Sequence, residues 1–202
     1  MSHRYFSFLI FLSSFLFIEV TLAKTVLVTG SNRGMGLEFV SQYAEKGWNV
    51  IATSRSPSDD NDLINLAKAN PNIQIEKMDV TNVNEILSLA GKYEHQSIDL
   101  LINNAGMSGD RANQAWGQID KKEFEKLMSI NAFGALKVSE AFSRNISMSE
   151  EKKIVAISSV AGSISSMGRP SSLPILSISK AALNMAMKTI ALRLKDDGVT
   201  VI

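Results

Sequence analysis

Between a short apolar run and an amphipathic one lies the octet Thr29-Gly30-Ser31-Asn32-Arg33-Gly34-Met35-Gly36. Its glycine spacing suits a loop that holds a pyrophosphate. Gly30 permits a tight turn, while Gly34 and Gly36 let backbone come close to an anion and let a helix pack against a strand. A helix starting there aims free N–H groups at the ligand. Ser31, Asn32, Arg33 and Met35 fill the loop between the glycines and belong to the same candidate cradle. Glycines alone are a weak signal, but the strand–glycine–helix context turns them into a dinucleotide-binding one.

The second β-like run decides which dinucleotide. NAD sites usually place an acid there to accept from the ribose 2′-OH. This run ends Ala52-Thr53-Ser54-Arg55, with no acid. Arg55, together with Arg33, suits a 2′-phosphate and the paired donors of a guanidinium. The expected cofactor is therefore NADP(H) in preference to NAD(H). The nearby pair Asp59-Asp60 reads as solvated surface.

The elements that must position these groups alternate. Thr25–Thr29, Asn49–Thr53, Ile73–Met78, Leu100–Asn103, Ile154–Ser158 and Val199–Ile202 read as strands, the first as one buried on both faces. Helical spacing runs over Leu37–Lys46, Leu63–Ala69 and Val83–Tyr93. A further helix starts after Asp120, with Glu123 at a reciprocal capping position, and runs toward Asn145. Another spans about Ser177 to Asp196, with Gly198 ending it. The loop Ser158–Pro174, rich in Ser, Gly and Pro, has the character of a site loop rather than a linker. Strict alternation predicts an α/β fold: a Rossmann-type, doubly wound parallel sheet with helices on both faces. One domain is expected over 24–202, ending at the sixth strand and thus truncated relative to a full sheet of this type.

Several motifs together carry a resemblance. They are the TGSNRGMG loop, Asp79-Val80-Thr81, Asn103-Asn104-Ala105-Gly106, Asn131 in SINAFGAL, Ser158-Ser159-Val160-Ala161-Gly162, and Ser179-Lys180-Ala181-Ala182-Leu183-Asn184. The chain from Lys24 to Ile202 resembles the classical short-chain dehydrogenases/reductases, and among them looks closest to the C-factor/sniffer-type carbonyl reductases. The resemblance implies an NADP(H)-dependent oxidoreductase acting on a small carbonyl compound or alcohol. It implies that Asp79 and Val80 hold the adenine, and that Asn104, Ala105 and Gly106 line the cofactor cleft. Asn131 would kink its helix and hold a water in a proton relay. Ser159 would hydrogen-bond the substrate carbonyl. Lys180 would bind the nicotinamide ribose and lower the pKa of a neighbouring tyrosine. A homo-oligomer is also implied by the family.

The resemblance fails at one position. The family's proton donor is a tyrosine four residues before the lysine, and Leu176 stands there. A phenol beside an ammonium can exchange a proton near neutral pH, but leucine cannot. The chain's three tyrosines, Tyr5, Tyr43 and Tyr93, are not placed to substitute. The family's Pro-Gly turn, substrate-covering segment and seventh strand are also absent from the sequence. A nucleotide-binding pseudoenzyme, or a fragment of a longer chain, is therefore the alternative expectation.

Composition excludes other chemistries. The 202 residues include no cysteine, which removes disulfides, thiolate metal sites and cysteine nucleophiles. His3 and His95 are too few and too far apart for a metal cluster. A net charge of +1 gives no reason to expect nucleic acid. Residues 1–23 differ in class: His3 and Arg4 precede an apolar run to Val20, and Thr21-Leu22-Ala23 ends in small residues. That pattern predicts a cleaved signal peptide and an exported domain, with an uncleaved membrane anchor as the alternative.

Overall fold

The computed structural model describes residues 23–202, so the expected leader lies almost wholly outside the described residues. Six strands form one sheet: β1 (Thr25–Thr29), β2 (Asn49–Ser54), β3 (Ile73–Lys77), β4 (Leu100–Asn103), β5 (Lys153–Ala156) and β6 (Thr200–Val201). Their spatial order is β3-β2-β1-β4-β5-β6, and every pairing is parallel. This is the doubly wound order, in which the chain moves outward from β1 in both directions. Helices α1 (Gly34–Glu45), α2 (Asn61–Ala69), α3 (Val83–Lys92), α4 (Lys121–Met128), α5 (Ala135–Ala141), α6 (Ser143–Ser147) and α7 (Pro174–Arg193) connect the strands.

Strand periodicity explains the two layers. Along β1, Leu27 points to one face, while Val26 and Val28 point to the other. Leu27, Ile51, Leu101 and Ile154 join the core with Ile86, Phe142, Leu183 and Ile190, from the helices of the β4–β6 half and from α3. Val26, Val28, Val50 and Ile102 join Val40, Ala44 and Leu63 from α1 and α2. The central strands are thus buried on both sides, as their unbroken apolar runs require.

Local details depart from expectation, most clearly in the following places. α7 begins at Pro174 rather than Ser177 and ends at Arg193. Proline fits the first helical turn, where its missing N–H is not needed, so it opens this helix instead of closing the loop. β5 ends two residues before Ser158. Asp120 caps α4 by accepting from the Glu123 N–H at 2.8 Å, but Glu123 does not reciprocate. Its carboxylate accepts instead from the Asp110 N–H at 2.8 Å, pinning the loop after β4.

The run toward Asn145 is not one α-helix. Ser129–Gly134 forms a π-helical turn between α4 and α5. Gly134 sits against Val80, where an added Cβ would fall 2.9 Å from Val80 Cγ2.

Candidate functional site

The carboxyl ends of β1 and β4 lie where the sheet reverses its winding, and such crevices receive ligands. The glycine loop forms one wall. Gly30 and Gly34 have φ of 67° and 55°, in the region that favours glycine. A Cβ on Gly36 would collide with the Gly30 carbonyl oxygen and stand 2.5 Å from Asn104 Nδ2. A Cβ on Gly34 would meet nothing within 4 Å. Gly36 therefore marks where α1 presses against the turn behind it, and Gly34 faces open space. No side chain caps the first turn of α1, which leaves its N–H groups for an anion. Met35 is exposed on that turn.

Thr29 ties this wall to the next. Its hydroxyl oxygen accepts from the N–H groups of Asn104 and Ala105, each at 3.0 Å. Asn104 Nδ2 donates back to the carbonyls of Thr29 and Gly30, each at 2.9 Å. Ala105 packs so closely that a Cβ on Gly30 would lie 2.9 Å from its Cα. The spacing of the motifs did not single out Thr29; its β-branched type reads as strand, and only the fold reveals its second task.

Gly106 continues the turn toward the helices. A Cβ there would stand 3.3 Å from Asn131 Oδ1 and 3.5 Å from Lys180 Nζ. Three residues from distant sequence positions thus converge. Asn131 lies in the π-helical turn. Its Oδ1 accepts from the Met107 N–H at 2.8 Å. Its Nδ2 donates to the Met107 carbonyl and to Ser179 Oγ, each at 2.9 Å. Both amide protons are spent, so the side chain positions the backbone and α7 and has no donor left for a water.

Lys180 is 9% exposed, and its ammonium donates to the Ile157 carbonyl at 2.6 Å. Burial holds its pKa below the ordinary lysine value, because desolvation disfavours the charged form. Ser159 is exposed, and its oxygen accepts from the Ala161 N–H at 3.1 Å, closing a tight turn at Val160–Gly162. Leu176 lies one turn before Lys180 on α7, on the same helix face. Its N–H donates to Gln114 Oε1 at 2.9 Å, and its carbonyl accepts from Ser179 Oγ at 2.8 Å. Ser177, the nearest hydroxyl in sequence, is turned to Ser171 Oγ at 2.9 Å.

The two tyrosines among the described residues serve elsewhere. Tyr43 packs edge-on against Trp48 at 4.9 Å between ring centroids. Tyr93 binds Gln74 and Glu76 beside β3, and burial there raises its pKa.

The remaining expected residues divide. Arg33 and Arg55 are exposed and form no ion pair among the described residues. Asp79 Oδ1 holds the N–H and hydroxyl of Thr81 at 2.8 and 2.7 Å. Val80 is buried in the core, so only its backbone is left to face a ligand. Ser31 corrects the expectation. Its hydroxyl donates to the Val28 carbonyl at 2.8 Å, its N–H to the Thr53 carbonyl at 2.9 Å, and it is fully buried. It braces the loop from behind. The reading of Asp59-Asp60 as solvated surface also needs correction. Asp60 is half-buried and accepts from Asn32 Nδ2 at 3.1 Å and from Ser54 Oγ. The fold thus returns an acid to the end of β2, six residues after Ser54.

Comparison with known proteins agrees with this geometry. The family model described as short chain dehydrogenase matches residues 24–202. A short chain dehydrogenase of Penicillium aethiopicum is 34% identical over 183 residues, covering 87% of this chain and 72% of that protein. An NADPH-bound carbonyl reductase from chicken fatty liver superposes with a TM-score of 0.80 at 29% identity, over 89% of this chain and 74% of that one. A putative short-chain dehydrogenase/reductase from Burkholderia multivorans with bound NADP gives a TM-score of 0.79 at 29% identity, over 87% and 75%. With its sheet order, its glycine cradle and these likenesses, the chain belongs to the short-chain dehydrogenase family.

Proposed function

We propose that this chain binds NADP(H) in the crevice between β1 and β4 and acts as an oxidoreductase on a small carbonyl compound or secondary alcohol. The observation that carries the proposal is the close approach at Gly36, which shuts α1 against Gly30 and Asn104 and leaves the first turn of that helix without a side-chain cap. A turn built only to reverse the chain needs neither the close approach nor the uncapped helix behind it. The exposed guanidinium groups of Arg33 and Arg55 favour the 2′-phosphate form, as do the NADP-bound structural relatives.

In this reading Gly30, Asn32, Gly34, Met35 and Gly36 bound the pyrophosphate, with the α1 N–H groups pointing at it. The backbone of Asp79 and Val80 borders the adenine, and the Asn104–Gly106 turn lines the cleft. When bound, the dihydronicotinamide would supply the hydride, and solvent water would supply the proton to the substrate oxygen, since Leu176 has none to give. Lys180 holds the nicotinamide ribose, Ser159 offers its hydroxyl to the substrate oxygen, and Asn131 fixes the Met107 backbone between them. The loop that follows Ser159 borders an open depression of about 430 Å³, lined by Val160, Ala161, Ser166, Met167, Arg169 and Ser177, and this reading gives that side of the site to the substrate. The expected leader supports export of the domain. Exposed Ile178, Met185 and Leu192, seven apart on α7, support association with a second copy.

Leu176 favours a second reading, a nucleotide-binding protein with little turnover. Titrating the chain from Lys24 to Ile202 with NADPH and NADH, by fluorescence and thermal shift, tests the shared premise. Saturable NADPH binding that raises the unfolding temperature is expected. A folded protein that binds neither nucleotide would overturn both readings.

A further inference from the structure

We infer that the substrate is a carbonyl compound with a carboxylate on an apolar body, and that Arg169 selects it; this rests on the reading above, which places the substrate oxygen at Ser159. The depression beyond Ser159 measures about 430 Å³. That lies within the range of small-molecule sites, about 300–1,000 Å³. Its lining mixes three kinds of group. Val160 and Met167 are exposed apolar side chains. Ser166, Ser171 and Ser177 bring hydroxyls. Arg169 is the one charged lining residue among the described residues, so no acid competes for it there.

The hydroxyls divide by task. Ser171 Oγ accepts from the Leu173 N–H at 3.1 Å and stands 2.9 Å from Ser177 Oγ, which donates to the Leu173 carbonyl at 3.2 Å. Those two serines tie the loop to the start of α7. Ser166 Oγ accepts from Ser163 Oγ at 2.8 Å and keeps its own proton for a ligand. Arg169 forms no ion pair among the described residues. Pro170 directly after it restricts its backbone to extended conformations. The polar groups left for a ligand are thus donors, one of them a full cation. A carboxylate is an acceptor only, and its two oxygens match the guanidinium fork. A neutral ketone gains nothing from that cation. Val160 follows Ser159 in sequence and Met167 precedes Arg169 by two, so apolar surface accompanies the substrate from its carbonyl to its charge.

Ligand-observed NMR titration of the NADP+-loaded protein tests this without turnover. The probes are para-acetylbenzoate, neutral acetophenone and the para-trimethylammonium analogue of acetophenone. The benzoate is expected to bind about tenfold more tightly than acetophenone. Arg169→Gln should remove that gap, and Arg169→Glu should turn the preference toward the cationic probe. Arg144→Gln removes an equal charge from α6, at the amino ends of the strands, and should keep the gap. Equal affinities in the wild type, no binding of either ketone, a gap that survives Arg169→Gln, or an equal loss in Arg144→Gln would overturn the inference. Any of these in a protein that binds NADP(H) sinks the inference alone. A folded protein that binds no nucleotide sinks the nucleotide-binding reading and the inference with it.

Discussion

The glycine-loop wall of the crevice and the β5–α7 wall are held by different kinds of contact, and packing constrains their side chains to different degrees. At the glycine loop, packing and binding make the same demands. Gly36 must lack a side chain for α1 to close on Gly30, and that closure also shapes the phosphate cradle. At the start of α7 the demands separate. Leu176 completes the hydrogen bonds of its backbone with Gln114 and Ser179, and the helix forms without a phenol. Stability therefore guards the cradle and does nothing to guard the proton donor.

Leu176→Tyr is the sharpest test of that contrast. A restored general acid beside Lys180 is expected to raise NADPH-dependent carbonyl reduction by about 10² to 10⁴. Rates within a factor of a few of wild type would mean that the two walls differ by more than one side chain. Next comes Gly36→Val, which drives a branched side chain into the Gly30 carbonyl and Asn104. Overpacking of this kind costs about 3 kcal/mol, read as a lower unfolding midpoint together with loss of NADPH binding. Survival of both would show that the cradle is looser than its contacts indicate.

Asn131→Ala removes three hydrogen bonds and leaves Ser179 Oγ and the Met107 backbone short of partners. A loss of about 2 kcal/mol in denaturant unfolding is expected, because buried groups left unpaired carry most of the penalty. The smallest effect lies far from both walls. Lys153 and Lys24 hold the Glu151 carboxyl at about 2, below its ordinary 4.5. A depressed folded-state pKa adds stability above the unfolded value, and that contribution disappears as pH falls from 4.5 through about 2. Solvent reaches this carboxylate, so Glu151→Gln should flatten the acid limb of the melting curve only slightly.

The sequence announces the cradle more clearly than the rest of the site, and the reason is physical. Glycine positions, strand runs and the Asn104 turn are local constraints, so the parallel doubly wound sheet and the places of its strands follow from pattern. β1 and β4 fall where their apolar runs place them. Contacts made across the fold leave no such local mark. Asp60 looks like one acid of a surface pair until α2 swings it onto Asn32. Ser31 looks like a ligand-facing loop residue until β2 covers it. Pro174 reads as a loop residue because proline serves both turns and helix starts.

The π-helical turn at Ser129–Gly134 has a consequence for how this chain tolerates change in length. A π turn holds one residue more than an α turn. Buried Leu127 precedes it, and buried Ala135 and Val138 follow it. The extra residue is taken up within that one turn, so the helices on either side keep the facing that an unbroken α-helix one residue shorter would give them. Deleting one residue within the turn would therefore leave Leu127, Ala135 and Val138 on their present faces. The loss would fall on the turn itself, where Asn131 reaches Met107 and Ser179. The wide turn is spare length, and the side chain it presents is what that spare length is for.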